Sequence, residues 1–176
     1  TVTSRHAVVD TPVDLSSYIR AGDTVVWGQA CGEPLTLTET LLAQRHRIGP
    51  IKCFVGIPMT DSLRVDGVDG LSLASYCGTG TNSALHAAGL LDITPLHYSS
   101  IPTLLGSGPD CADIALVQVS APDADGRHSL GLTDDYLSAA IDAARVVIVE
   151  VNDRIPYTLG ARTLRESDWT VAIRTS

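Results

Sequence analysis

Thr24-Val25-Val26-Trp27-Gly28-Gln29-Ala30-Cys31-Gly32-Glu33-Pro34 is an apolar run that stops abruptly in small and glycine residues, with a helical pattern beginning at once. Val25 to Trp27 are branched or aromatic and follow Gly22-Asp23, the signature of a short buried strand. Gly28 and Gly32 supply backbone freedom, and Pro34 presets the dihedral of a first helical turn. Thr36 and Glu39 have capping-box spacing, and Leu37, Leu41 and Leu42 give the helix an apolar face. In an open α/β sheet, ligands bind at such a turn because main-chain N–H groups and a helix start converge at the carboxyl end of the strand. Residues 28–34 are therefore expected to floor a pocket for an anionic or oxyanionic group.

Working outward, residues 13–20 space Leu15, Tyr18 and Ile19 as a short helix face. The helix over 34–46 meets the breaker Gly49-Pro50, and Ile51 to Ile57 reads as a second strand, which implies a parallel pair with a right-handed crossover. Residues 58–70 read as an exposed loop. Leu71 to Tyr76 alternates like a half-buried strand and runs into Cys77-Gly78-Thr79-Gly80-Thr81-Asn82, a second glycine turn before a helix at 82–88 with Leu85 and Ala88 inward. Ile93 to Tyr98 reads as a short strand, followed by a turn into a brief helix at Pro102. The continuous apolar runs 113–119 and 146–151 predict central strands covered on both faces. Between them lie a turn-rich excursion over 121–131 and a helix with Leu137, Ala140, Ile141 and Ala144 on one face. Thr133 is its expected cap, with Asp134 and Asp135 in its first turn. Trp169 to Ile173 reads as a last strand. Together these patterns give an α/β class with a mostly parallel sheet flanked by helices.

The 176 residues suffice for one domain with a real core, and 12 Lys plus Arg against 20 Asp plus Glu give a net charge of −8. That balance, with no basic cluster longer than Arg45-His46-Arg47, argues against nucleic acid. No run is long enough for a membrane helix and no basic-then-apolar leader opens the chain, so a soluble cytoplasmic protein is the expectation. Cys31, Cys53, Cys77 and Cys111 form no C-x-x-C pair, and histidines 6, 46, 86, 97 and 128 are scattered, which argues against a zinc site. Three of the thiols sit in or beside apolar runs and are expected to be reduced and buried.

Gly28 to Pro34, Tyr76 to Asn82, Pro95-Leu96-His97-Tyr98-Ser99, and above all Ala115 to Asp123 through Ser129-Leu130-Gly131 resemble the acetyl-CoA hydrolase/transferase family, which includes 4-hydroxybutyrate and succinyl-CoA:acetate CoA-transferases. Val149-Glu150-Val151-Asn152 with Pro156 continues the match, so it covers most of residues 15–160. The resemblance implies a fold of the CoA-transferase (NagB/RpiA-like) type, and that two such domains face each other across the active site. Only the first is present, so residues 1–176 are expected to be an N-terminal domain. The family's nucleophilic glutamate lies in the second domain, beyond Ser176. The β-like ending at Thr170 to Ser176 favours truncation over a natural half.

The implied reaction moves CoA between an acyl-CoA and a carboxylic acid, with water as an alternative acceptor. A glutamate attacks the thioester, a glutamyl-CoA thioester forms, and the acceptor acid takes the CoA. No permanently bound cofactor is implied; the coenzyme A thioester is a substrate. Main-chain N–H groups in a rigid turn suit the oxyanions of such a path. The expected substrate-binding residues are Gly28, Gln29, Ala30, Cys31, Gly32, Glu33, Pro34, Tyr76, Gly78, Thr79, Gly80, Asn82, His97, Tyr98 and Ser99, with no catalytic residue on this chain. The plain alternatives are a strand-to-helix turn for Gly28 and Gly32, and a dipole partner or cap for Glu33, kept here as a pocket-shaping residue. For Asn82 the alternative is a helix cap, and for His97 a hydrogen-bonded, half-buried ring.

Gly78-Thr79-Gly80 lacks the third glycine of a dinucleotide fingerprint, since Ser83 occupies that position. Asp123, His128 and Ser129 match a hydrolase triad by type alone, without a G-x-S-x-G setting. Cys31 and Cys77 are read as packing residues rather than nucleophiles, because burial raises a thiol pKa. Two functions follow: half of a CoA-transferase or acetyl-CoA hydrolase, inactive alone, or a non-catalytic carboxylate- or subunit-binding module of the same fold. In either case the face meant for the second domain is expected to be partly apolar and to pair with that domain, a second subunit or another copy.

Overall fold

Val25 and Val26 are both fully buried, yet they belong to different cores, because successive side chains of a strand point to opposite faces. The computed structural model describes residues 7–9 and 11–176, so His6 lies outside the described residues. Its main sheet has eight strands: β1 (Ala7–Val8), β2 (Thr24–Trp27), β3 (Ile51–Phe54), β4 (Leu71–Ser75), β5 (Leu91–Ile93), β6 (Ile114–Val119), β8 (Val146–Asn152) and β10 (Val171–Thr175). The order is β1-β10-β8-β6-β2-β3-β4-β5, and every neighbouring pair is parallel. The remaining strands, β7 (His128–Ser129) and β9 (Thr163–Leu164), form a small antiparallel ribbon.

Helix α1 (Leu35–Ile48) covers one face, packing Leu37 and Leu41 on Val25, Cys53, Ile114 and Ile148, and Leu85 of α2 (Asn82–Ala87) joins that core. Helices α3 (Ile101–Ser107) and α4 (Leu137–Ala143) cover the other, where Leu105, Leu137 and Ala140 meet Val26, Phe54, Val117 and Val149. The near-continuous apolar sequence of β6 and β8 follows from this double cover. The sequence reading of an α/β fold with a mostly parallel, helix-flanked sheet holds.

Several local expectations do not hold. Residues 13–20 form only a 3₁₀ turn at Leu15–Ser17, because the Asp14 carboxylate accepts the Ser16 amide at 3.1 Å and the turn closes early. The strand expected at Ile93–Tyr98 ends at Ile93; Pro95 lacks a donor for a ladder, and Tyr98–Ser100 is a 3₁₀ turn. Ala88 is exposed and caps α2 rather than facing the core. Thr133 does not cap α4, which begins at Leu137 with Tyr136 in the cap position: Asp135 adopts φ 41°, outside the helical region, and Asp134 accepts the Ser138 hydroxyl at 2.5 Å. Excursion 121–131 makes one antiparallel bridge, Pro122 to His128, and then pairs with β9.

Candidate functional site

From β2 the chain steps outward through β3, β4 and β5, then returns to the other side of β2 as β6 before continuing to β8 and β10. Loops leaving β2 and β6 therefore diverge, and a crevice opens at their carboxyl ends, the position where doubly wound sheets bind ligands. Residues 28–34 lie at that crevice. A 3₁₀ turn at Ala30–Gly32, entered through Ala30 at φ 51°, carries the chain across it. Close approach fixes two glycines. A Cβ on Gly28 would stand 2.6 Å from the Gly32 carbonyl oxygen, and one on Gly32 would stand 1.8 Å from Thr133 Oγ1. The plain reading of these glycines as a turn requirement is thus sufficient for their identity.

Gln29 is the hub of the crevice on the α3–α4 side. Its Oε1 accepts the Tyr76 hydroxyl at 2.7 Å and the Ile57 amide at 3.1 Å, and its Nε2 donates to Tyr98 Oη at 3.0 Å and Asp135 Oδ2 at 3.2 Å. The Tyr76 and Tyr98 rings meet edge to face at 5.4 Å. Burial, then the neighbouring Cys77, pushes the Tyr76 hydroxyl up to about 12, and burial followed by the Asp135 charge pushes Tyr98 higher still. Both hydroxyls therefore keep their protons at neutral pH. Gly56 makes room for the hub: a Cβ there would lie 2.4 Å from Gln29 Cβ and 2.6 Å from Tyr136 Oη.

On the α1 side the same turn borders a groove of about 370 Å³, lined by Cys31, Glu33, Thr36, Thr60, Gln118 and Glu150 among others. Glu33 is buried, and its carboxylate accepts the hydroxyls of Ser62 at 2.5 Å, Thr60 at 2.6 Å and Thr38 at 3.1 Å. Glu150 is buried too, and accepts the Leu37 amide at 3.1 Å and the Thr175 hydroxyl at 3.2 Å. Burial pushes the Glu150 carboxyl up from its ordinary range, and the Leu37 N–H partly opposes this. The start of α1 is therefore already served by a carboxylate from β8. The expected capping box is not formed: Pro34 is the cap position, without a side-chain bond, and Glu39 is exposed.

The amides of Ala30, Gly32 and Glu33 are bonded to the carbonyls of Ile57, Gln29 and Ala30, whereas those of Gln29 and Cys31 have no partner among the described residues. The Cys31 carbonyl accepts Gln118 Nε2 at 2.9 Å. Contrary to the packing expectation, Cys31 is exposed and Cys77 and Cys111 are half-buried; only Cys53 is buried, its thiol pushed up to about 12. The turn carries Cys31 beyond the carboxyl end of the central strand β2, where its side chain is exposed.

Other expected site residues stand apart. Gly78 packs against Ile93, where a Cβ would approach to 2.8 Å; Thr79 is exposed, its hydroxyl 3.4 Å from Cys77 Sγ; and Gly80 turns at φ 65°. Asn82 does not cap α2. It is buried, Nδ2 donating to the Gly56 carbonyl at 3.0 Å and Oδ1 unpaired among the described residues. His97 and Ser99 are exposed, and His97 is not half-buried as expected because β5 ends four residues earlier. Sequence reasoning missed Asp135, Gln118, Thr60 and Glu150. Gln118 and Glu150 carried a readable signal, a polar residue near the end of an otherwise apolar central strand.

Residues 6–164 match the model of the acetyl-CoA hydrolase/transferase N-terminal domain. The chain belongs to the acetyl-CoA hydrolase/transferase family. Within that family it is 30% identical over 161 residues to the 4-hydroxybutyrate coenzyme A transferase of Clostridium kluyveri, covering 86% of this chain and 36% of the relative. It is 39% identical over 100 residues to the succinyl-CoA:acetate/propanoyl-CoA:succinate CoA transferase of Fasciola hepatica, covering 57% of this chain and 21% of that one. The crystal structure of RipA from Yersinia pestis superposes with a TM-score of 0.86 at 25% identity, over 96% of this chain and 42% of RipA. A 4-hydroxybutyrate CoA-transferase from Porphyromonas gingivalis superposes with a TM-score of 0.73, also at 25% identity, over 96% of this chain and 39% of that one. The chain thus spans well under half the length of these relatives. No described helix is long and apolar enough to cross a membrane.

Proposed function

We propose that this chain is the N-terminal half of an enzyme that moves CoA between an acyl-CoA and a small carboxylic acid, or hydrolyses acetyl-CoA, and that it is inactive alone. The observation that carries the proposal is the position of residues 28–34 and Gln29 at the switch point between β2 and β6, on a chain that matches only the N-terminal domain of its family. Glu33 is a poor nucleophile in its setting, because three hydroxyls hold its carboxylate. The attacking glutamate then belongs to the second domain or subunit, and this half supplies the opposite wall of the cleft.

On that wall the Cys31 and Gln29 amides are the donors of the 28–34 stretch available to an oxyanion. Tyr76, Tyr98 and Asp135, tied together by Gln29, face the acyl or acceptor group. Four exposed apolar side chains, Leu35 at the start of α1 and Met59, Leu132 and Leu159 on loops, follow the carboxyl ends of strands, which supports a second domain covering this end. A cytoplasmic setting and a role in acetate metabolism fit this reading.

The test is CoA exchange between acetyl-CoA and labelled acetate, followed with the 176-residue chain and with the polypeptide extended past Ser176. Exchange by the extended protein alone supports the proposal. Turnover by the 176-residue chain refutes the missing-nucleophile reading, and carboxylate binding by the extended protein without exchange favours the non-catalytic module.

A further inference from the structure

Gln118 is 7% exposed on β6 and shares the α1 face of the sheet with Ile114 and Leu116, where an unpaired polar group would be costly. Its register partner on β8 is Glu150, and Asn152 ends that strand on the same face. From Asn152 three hydrogen bonds run in series to the crevice. The Arg154 main-chain N–H donates to Asn152 Oδ1 at 2.9 Å, Asn152 Nδ2 donates to Gln118 Oε1 at 3.0 Å, and Gln118 Nε2 donates to the Cys31 carbonyl at 2.9 Å. This relay has a fixed direction. A main-chain N–H at one end can only donate and a main-chain carbonyl at the other can only accept, so reversing either side-chain amide sets like groups against each other.

The relay grips the strained part of the crevice turn. Ala30 adopts φ 51°, a region that residues other than glycine seldom occupy and that persists only where surrounding bonds impose it. The Ala30 N–H donates to the Ile57 carbonyl at 2.8 Å, and the Gly32 N–H to the Gln29 carbonyl at 2.8 Å. Gln118 adds a third restraint, and among the described residues it is the one side chain bonded to the main chain of residues 30–32. Between these restraints the Cys31 N–H is left without a partner among the described residues.

We infer that Gln118 and Asn152 are positioning residues, which hold the Cys31 carbonyl and through it keep the Cys31 N–H presented to a developing oxyanion. Neither side chain meets the reacting atoms; both act through the turn. The oxyanion rests on the proposed function, whereas the hold on the turn does not. A donor aimed at charge that appears only in the transition state stabilises that state more than bound substrate, so its misplacement lowers kcat more than it raises KM.

Gln118 is too buried for a clean substitution, so the test acts through half-buried Asn152. In the full-length protein, Asn152→Ala and Asn152→Asp are compared with the parent by amide hydrogen exchange at residues 30–32 and by transfer of CoA from acetyl-CoA to labelled acetate. N152A leaves Gln118 free to keep its bond to Cys31. N152D still accepts the Arg154 N–H but gives Gln118 an acceptor where it had a donor, so Gln118 turns Nε2 to the new carboxylate and Oε1 to the Cys31 carbonyl. The larger effect is therefore expected from the closer isostere. In N152D the Ala30 and Gly32 amides are expected to exchange about tenfold faster or more, with a smaller change in N152A. The kcat of N152D is expected to fall about tenfold or more, short of the roughly 10²–10³ lost with an oxyanion donor outright, while KM changes less than about threefold. Residues 30–32 unchanged in N152D, or N152A disturbing them as much, overturns the inference and leaves the proposed function standing. A loosened turn with parental kcat, or with a change in KM alone, overturns the positioning role. A loosened turn in N152D, with no transfer by the parent, refutes the proposed function while the relay stands.

Discussion

Glu150 Oε2 accepts the main-chain N–H of Leu37 at 3.1 Å, joining residues 113 positions apart in sequence. A carboxylate from the central strand β8 thereby serves the first turn of α1, the place where an anionic ligand would otherwise be drawn. Its carboxyl is pushed above the ordinary value of 4.5, with burial as the first cause, so the folded chain holds that proton more tightly than the unfolded one. Stability from this group is greatest at acid pH and is lost as pH rises from 4.5 through the raised value.

Glu150→Gln keeps an acceptor for Leu37 and removes the buried charge. It is expected to gain on the parent at pH 8, with the gain shrinking toward pH 4. Glu150→Ala leaves the Leu37 amide without its partner and is expected to lose about 1–3 kcal/mol. Urea unfolding across this pH range measures both. A glutamine variant that gains most at acid pH contradicts the sign.

Gly32 and Thr133 test whether the crevice turn rests on the segment between β7 and α4. A Cβ at Gly32 would fall 1.8 Å from Thr133 Oγ1 and 2.8 Å from Thr133 Cβ. Gly32→Ala is expected to cost about 1–3 kcal/mol by overpacking. Thr133→Ala removes the nearer atom, so the double variant is expected to recover part of that loss, and a double-mutant cycle from thermal melts gives the coupling. Simple additivity would mean that the two loops do not touch.

How much of this was legible follows from how far apart the partners lie. The strand, turn and helix over residues 24–48 were readable because each signal is local: branched residues, then glycines, then a leucine face. The central strands β6 and β8 announced themselves by continuous apolar sequence. Gln29 was readable as a turn residue but not as a hub, since its partners Tyr98 and Asp135 lie 69 and 106 residues away. For α1, a local capping pattern at Thr36 and Glu39 lost to a distant carboxylate. Small neighbours suggested that Cys31 was buried, but only the three-dimensional path of the turn shows that its side chain is exposed. The His97 reading failed because Pro95 follows the end of β5 and leaves the ring outside the sheet.

Glu33 separates a pocket-shaping carboxylate from a nucleophile. Thr38, Thr60 and Ser62 donate to it, and their hydroxyls can reorient to serve an amide in its place. In the full-length protein Glu33→Gln is expected to lower kcat for CoA exchange by less than about tenfold, because the proposed function assigns the reacting carboxylate to the second domain or subunit. Removing a true nucleophile costs roughly 10⁴-fold or more. A loss of that size, without a change in the melting curve, would move the nucleophile onto this chain.

The thiols give the most direct reading of the crevice surface. Cys31 is exposed on the lip of the groove, Cys77 and Cys111 are half-buried, and Cys53 is sealed within β3 with its thiol pushed up to about 12 by burial. Alkylation requires the thiolate and access to it, so iodoacetamide at pH 8 is expected to label Cys31 first and Cys53 only after unfolding. Mass spectrometry of peptides at timed intervals gives the order. In the full-length protein, acetyl-CoA is expected to slow labelling of Cys31 and leave Cys111 unaffected, because Cys31 borders the proposed cleft and Cys111 lies just before the start of β6, at the opposite end of the sheet. Equal protection of both would point to a global tightening of the fold, and no protection of Cys31 would remove it from the wall that meets substrate.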